Sequence, residues 1–256
     1  YPRFYFVSTR ALLDILSNGN NPPRIMRNLT DCYGGIKTMV FKPADPSVEG
    51  YKEGDINKNR AIAMIAIDGE RVEMPEEFEI KGEVQVWLNA FTQHMKLTVC
   101  KTLEHAIGTA TDWRDPEAKP RQAWLFDYPA QCAITTTQIF WTEETETSLD
   151  EYEGGAEDAV KKYLQRCTSD MHELIKLVYT KLSKPDRKKV ISLITMDVHA
   201  RDMVDKLVKE KAASTLAFTW QMQMRLYFTP EDGVTSARII DYRTFLSYEY
   251  LGNTGR

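Results

Sequence analysis

Hydrophobic residues recur every third or fourth position along most of this chain and switch to alternation in two short regions. The opening Phe4-Tyr5-Phe6-Val7 precedes Ser8, whose hydroxyl can cap a short helix. Leu12, Leu13, Ile15 and Leu16 would form its apolar stripe, and Asn18-Gly19 would stop it. Asn21 followed by Pro22 starts a second helix, because proline is tolerated at the first helical position. Ile25, Leu29 and Cys32 share one face of it, and Gly34-Gly35 ends it. Residues 42–60 are polar and rich in proline and glycine, which predicts a loop. The apolar run Ala61–Ile67, the turn signal Asp68-Gly69 and the segment Arg71–Ile80 then predict a β-hairpin. Pro75 cannot donate to a ladder, so it confines the second strand to an edge or a break.

From Glu83 the helical period is strong. Val84, Trp87, Leu88, Phe91, Met95, Val99, Leu103 and Ile107 align on one stripe of a helix of about six to seven turns. A polar connection over 108–121 leads to Trp124, Leu125, Phe126 and Tyr128. Pro129 sits near the first turn of a helix carrying Ala133, Ile134, Thr137, Phe140 and Trp141. Eight acidic residues and Gly154-Gly155 lie between Glu143 and Asp158, which predicts an acidic, solvated loop. Two further helices follow. One runs on Val160, Tyr163, Leu164, Cys167, Met171, Leu174, Ile175, Val178 and Leu182, and the other on Val190, Ile194, Val198, Met203, Val204 and Leu207. Only Ser183–Pro185 separates them, so they should lie antiparallel. Alternation returns over Trp220–Phe228, with Met222, Met224, Leu226 and Phe228 on one face. Glu231-Asp232-Gly233 turns the chain, and Ala237–Tyr242 completes a second hairpin. The expected fold class is mainly α, an elongated helical bundle with two small β-hairpins.

Composition adds limits. The chain has 256 residues, with 43% hydrophobic and 27% charged residues and a formal net charge of -4. That is ordinary globular composition, and a mildly acidic chain has no general attraction to nucleic acid. No apolar stretch reaches the roughly 18 residues of a membrane span. Cys32, Cys100, Cys132 and Cys167 are widely separated with no C-x-x-C pair, so reduced thiols of a cytosolic protein are expected rather than a zinc site. The chain starts at Tyr1-Pro2 and stops just after an aromatic stretch, so both ends read as cut points within a longer polypeptide.

The sequence holds no complete catalytic signature. Gly34-Gly35-Ile36-Lys37-Thr38 ends like a phosphate-binding loop but lacks its glycine spacing, and reads as a helix stop. No G-x-G-x-x-G, H-E-x-x-H or G-x-S-x-G pattern occurs. Asp197, His199, Arg201 and Asp202 cluster on one helix. Asp197 and Arg201 stand four apart and are placed to form a salt bridge, while His199 and Asp202 stand three apart. A structural charge network or an interface contact is the expected role. Lys181, Lys184, Arg187, Lys188 and Lys189 form a basic group expected at the surface.

Several stretches together resemble one family. Pro2-Arg-Phe-Tyr-Phe-Val-Ser8 with Leu12-Leu-Asp-Ile-Leu16 is similar to the linker of dynein heavy chains. So are Val84-Gln-Val-Trp-Leu-Asn89, Asp127-Tyr-Pro-Ala-Gln131, Gln138-Ile-Phe-Trp-Thr142 and Leu182-Ser-Lys184. Leu193-Ile-Thr-Met-Asp-Val-His-Ala-Arg-Asp202 fits as well, and Tyr248-Glu-Tyr-Leu-Gly-Asn253 resembles the approach to the first AAA+ module. These matches run from end to end in order. The N-terminal block and Trp124–Gln131 look axonemal, most similar to outer-arm β-type chains.

The resemblance implies a role. The linker is a lever over the AAA+ ring, bending and straightening as ATP is bound and hydrolysed there. Residues 1–210 would be helical linker with the hairpin near 61–80, and 211–256 a second hairpin leading into an AAA+ module that lies outside the chain. The segment would be no enzyme itself, with ATP and Mg in the parent ring. Implied partners are that ring, microtubules, and dynein intermediate and light chains, without nucleic acid or membrane. Implied localisation is the cytoplasm and its cytoskeleton, in the ciliary or flagellar axoneme. Tyr248 and Tyr250 join Asp197, His199, Arg201 and Asp202 as interface candidates. Pro120, Ser183 and Pro185 are the hinge candidates. The alternative is a non-catalytic helical scaffold or adaptor that binds a protein partner.

Overall fold

A single hydroxyl starts the first helix. Ser8, in extended conformation, accepts from the Ala11 amide at 3.3 Å and caps α1 (Thr9–Ser17), which follows a 3-10 turn over Pro2–Phe6. The computed structural model describes residues 1–47, 51–110 and 117–253. The buried positions of α1 are Ala11 and Ile15, and Leu12 is half-buried, whereas Leu13 and Leu16 are exposed, so only part of the expected apolar stripe faces the core. The second helix starts at Pro22 as expected, but it is broken into α2 (Pro22–Ile25), a 3-10 turn (Met26–Asn28) and α3 (Leu29–Cys32). Ile25, Leu29 and Cys32 are all buried.

The expected hairpin is a three-stranded antiparallel sheet. Its strands are β1 (Ile36–Pro43), β2 (Ile56–Ala66) and β3 (Arg71–Glu79), in that order. The expected loop over 42–60 is therefore shorter, since strands enter it from both sides. Residues 48–50 lie outside the described residues. Asp68-Gly69 makes the β2–β3 turn, with Gly69 at φ 94, a conformation natural to glycine. β3 is an edge strand, and its register against β2 shifts between Ala61↔Phe78 and Ala63↔Glu73. Pro75 lies within that irregularity, where its missing N–H costs no ladder bond. β1 escaped notice for a related reason. Register shifts at Ile36/Thr38, Val40/Phe41 and Phe41/Lys42 destroy its period of two. α4 (Val84–Ala110) covers this sheet's core with Trp87, Leu88, Phe91 and Met95, all buried. Burying each such side chain is worth about 1.5–3 kcal/mol.

After α4 the chain forms α5 (Arg121–Trp124), α6 (Ala130–Glu153), α7 (Ala159–Val178), α8 (Lys184–Glu210) and α9 (Phe218–Gln221). Part of the expected 108–121 connection, residues 111–116, lies outside the described residues. α6 corrects the expected acidic loop, because the helix continues through Glu143–Glu153. Its inner face there is made of Thr142, Thr145, Ser148 and Leu149. The hydroxyls return to the helix's own carbonyls, Thr142 to Gln138 at 2.9 Å and Thr145 to Trp141 at 2.6 Å. A polar face can thus be buried without unsatisfied groups. α7 and α8 are antiparallel: Arg187 near the start of α8 donates to the Val178 carbonyl at 3.0 Å, while Val160 and Tyr163 share a core with Val204 and Leu207. The buried seam of α8 is Val190, Leu193, Asp197, Ala200, Val204 and Leu207, with Ile194 and Val198 only partly covered.

The second expected hairpin is also a three-stranded antiparallel sheet, β4 (Arg225–Thr229), β5 (Val234–Ile239) and β6 (Tyr242–Phe245). Met222 and Met224 precede β4 and are exposed rather than paired. The turn at Glu231-Asp232-Gly233 is as expected. Leu226 and Ala237 pack on Ile139 of α6, with Ile107 and Phe228 beside them. The whole is mainly helical with a smaller β contribution. It divides into two compact units, one of residues 1–102 with 248–256 and the other of residues 103–247.

Candidate functional site

Each unit contains a cluster of polar side chains buried or half-buried against its core. In the first unit the cluster holds the C-terminal segment 248–253. Tyr248 adopts φ 55, a left-handed conformation uncommon for a non-glycine residue, and so redirects the chain. The next residue, Glu249, accepts both arms of the Arg3 guanidinium, at 2.8 and 2.9 Å. Arg3 also donates to the Cys32 carbonyl at 3.1 Å and lies 4.6 Å over the Tyr33 ring. These hydrogen bonds, with the arginine's charge, hold the Glu249 carboxyl below its usual range. Tyr250 is 1% exposed, and its hydroxyl donates to Glu70 Oε2 at 2.7 Å. Leu251 crosses so close to Gly35 that a Cβ there would stand 2.7 Å from the Leu251 Cα. Gly252, at φ 67, lies against Gly35 and Ala66.

Beneath this clasp Tyr33 is fixed from several sides. It bonds the Tyr1 hydroxyl, the Leu88 carbonyl and Thr92, each at 2.8 Å. Burial raises the Tyr33 hydroxyl well above a normal phenol, and the nearby Tyr1 adds to this. Arg3, Gly35 and Glu70, from three distant parts of the sequence, thus fix one short terminal segment.

In the second unit Arg121 of α5 makes a bidentate pair with Asp197 of α8, at 2.8 and 2.9 Å. Their side chains are 15% and 9% exposed. Burial opposes the Arg121 charge, but Asp197, Asp170 and Glu144 more than offset it and hold the guanidinium above its ordinary value. Arg166 pairs with Glu144 nearby. These groups line a cavity of about 290 Å³ together with Tyr163 and Cys167. Burial pushes the Cys167 thiol up to about 12, which leaves it unreactive at neutral pH. All four cysteines are free thiols. Among the described residues no three His, Cys, Asp or Glu side chains converge to hold a metal ion. No helix there is long and apolar enough to cross a membrane. Both clusters fix elements in place; neither presents a nucleophile beside a general base.

Residues 1–106 match the family described as dynein heavy chain, N-terminal region 2. The full 256 residues are 41% identical to the ciliary dynein beta chain of Heliocidaris crassispina and 40% identical to dynein axonemal heavy chain 17 of Homo sapiens. Over 255 residues the chain is 36% identical to the flagellar outer arm dynein beta chain of Chlamydomonas reinhardtii. The chain belongs to the dynein heavy chain family. All of it is matched, but it spans 5% of the length of each of these relatives.

In this dynein heavy chain segment the residues singled out from sequence fall in distinct settings. Tyr248 and Tyr250 meet in the clasp. Asp197 lies in the α8 seam, but its partner is Arg121, not Arg201. Arg201 instead reaches Asp202, its Nε at 2.9 Å from Oδ1. The expected Asp197–Arg201 bridge fails because Asp197 faces the core while Arg201 stands on the outer side. His199 is exposed, its ring 6.4 Å from that of Trp141. Pro120 is the residue before α5, at φ -66. Ser183 caps α8 by accepting from the Asp186 amide at 3.2 Å, and Pro185 lies in the first turn. Lys189 corrects its expected surface role, since it is 4% exposed and donates to the Tyr128 carbonyl at 2.6 Å. Sequence reading missed Arg3, Gly35, Glu70 and Arg121. Gly35 gave one signal, a second glycine beyond what a helix stop requires. The others had none, because their partners are remote in sequence.

Proposed function

We propose that this segment is the C-terminal part of the mechanical linker of an axonemal, outer-arm β-type dynein heavy chain. It transmits ATP-driven changes of the parent's AAA+ ring to force on microtubules, in the axoneme of cilia or flagella. The segment serves the motor as a lever and performs no chemistry; ATP and Mg act in the ring. Its partners are that ring and, through the parent chain, microtubules and dynein intermediate and light chains. Asp197, Arg121 and the α7–α8 pair stiffen the lever, and Pro120, Ser183 and Pro185 bound the connections where backbone change is absorbed.

The observation that carries this reading is the clasp. The stretch resembling the approach to the AAA+ module is tied by Tyr250–Glu70, 180 residues apart, and the Gly35 contact to the loops that flank the first sheet's strands, and by Arg3–Glu249 to the N-terminal 3-10 turn. A lever needs such a fixed exit, because a loose one would dissipate displacement before it reached the body. The test is Tyr250→Phe with Glu70→Gln in the full-length heavy chain. ATP turnover is expected to persist while microtubule gliding slows several-fold. Unchanged gliding, with thermal unfolding showing a loosened clasp, would refute the lever. Loss of ligand capture with motility intact would favour a scaffold.

A further inference from the structure

The second sheet places three arginines directly opposite one another. Arg225 of β4 faces Arg238 of β5, which faces Arg243 of β6. Like charges in cross-strand register are destabilising, so such a row needs compensation. The protein supplies part of it. Glu146 approaches Arg225 at 3.9 Å, but the same oxygen also accepts from Trp220 Nε1 at 3.1 Å and from the Tyr227 hydroxyl at 2.6 Å. Arg238 rests 4.5 Å over the Tyr227 ring, and Arg243 rests 4.9 Å over Phe245. The Nε atoms of Arg225 and Arg238 are buried without a hydrogen-bond partner, and Arg225 is 5% exposed. Among the described residues no carboxylate lies within ion-pair distance of Arg238 or Arg243.

The row ends at a free edge. All of β6 is exposed, including Tyr242 at 68% and Phe245 at 57%. The Leu246 amide donates to the Thr235 carbonyl at 3.0 Å, so by alternation Tyr242 and Thr244 also face β5. The backbone groups of Arg243 and Phe245 therefore point outwards. An added strand would place one side chain directly beside Arg243, continuing the row by one position.

We propose that the β6 edge binds an extended acidic polypeptide segment, which adds a fourth strand and sets a carboxylate beside Arg243. The charge of the row selects that occupant. A second copy pairing around the same position would extend the row with another arginine and be repelled. The outward amides and carbonyls fit a strand, whereas a small anion would leave them unused.

The probe is a labelled peptide of alternating glutamate and valine, titrated into the 256-residue chain and read by fluorescence anisotropy. It should bind, weaken with added salt, and bind on the order of tenfold tighter than its glutamine counterpart. Arg243→Glu should abolish binding of the glutamate peptide and create binding of a lysine–valine peptide. Because Arg243 is exposed, this variant keeps the fold, and the lysine response would show it directly. N-methylation of alternate peptide amides should abolish binding in one register only. Equal affinity for glutamate and glutamine peptides would overturn the proposal. So would inorganic phosphate displacing the peptide at equal concentration, or concentration-dependent self-association through this edge.

Discussion

At the scale of single residues, Gly35 shows how a position read as punctuation can be a contact surface. Its missing side chain admits the Leu251 backbone, which any Cβ would meet at 2.7 Å or less. Backbone is less able to yield than a flexible side chain, so Gly35→Ala should displace the terminal segment and cost about 1–3 kcal/mol. Denaturant titration measures the loss, and faster proteolysis after Phe245 would locate it. The Arg3–Glu249 pair predicts a pH dependence at the same place. Arg3 lowers the Glu249 carboxyl below its unfolded value, so the stabilisation is present above that value and fades as pH falls through the folded one. The stability difference between the native chain and Glu249→Gln should therefore shrink below about pH 4.3. Both side chains are about a quarter exposed, so the difference at neutral pH should stay near or under about 1 kcal/mol. A difference that grew on acidification would contradict the assigned pairing.

At the scale of elements, the long helices were legible where apolar residues make the seam and illegible where polar ones do. α4 follows its sequence stripe closely, from Val84 through Leu103. α6 does not, because Thr142, Thr145 and Ser148 are buried through bonds to carbonyls of their own helix, and acidic residues crowd the other face. Charge patterning suggested solvent, but backbone satisfaction decided the outcome. α8 carries the same lesson at Asp197. A carboxylate in a helix invites an i,i+4 partner, yet its neighbour in space is Arg121, 76 residues away in sequence. That pair gives a sharp prediction. Arg121→Ala should destabilise the second unit by about 3–5 kcal/mol, because it leaves Asp197 charged and buried. Arg121→Met combined with Asp197→Leu should recover most of that loss, since apolar replacements leave no uncompensated charge. Comparing the single and double variants by thermal unfolding tests it, and additive losses would show that the pair is not coupled.

At the scale of the whole molecule, both sheets were foreseen only as hairpins. β1 is disguised by its register shifts, and β6 is a four-residue strand exposed along its length. What no local pattern could give is that the first unit is discontinuous, since residues 248–256 complete a body begun by residues 1–102. Tyr250, though close to the C-terminal end, is among the most buried side chains of that body. Removing everything after Phe245 should therefore act far from the cut in sequence. It strips the cover from Gly35, Ala66 and Glu70, and leaves the α6–α8 core of the second unit with all its own residues. Hydrogen exchange should then quicken in β1 and β2 while amides in α6, α7 and α8 keep their protection. Uniform loss of protection would mean the two units unfold as one. No change in β1 and β2 would mean the clasp contributes nothing to the body it joins. The same measurement on full-length Tyr250→Phe would show how much of the effect belongs to one hydroxyl on Glu70, the bond on which the lever reading chiefly depends.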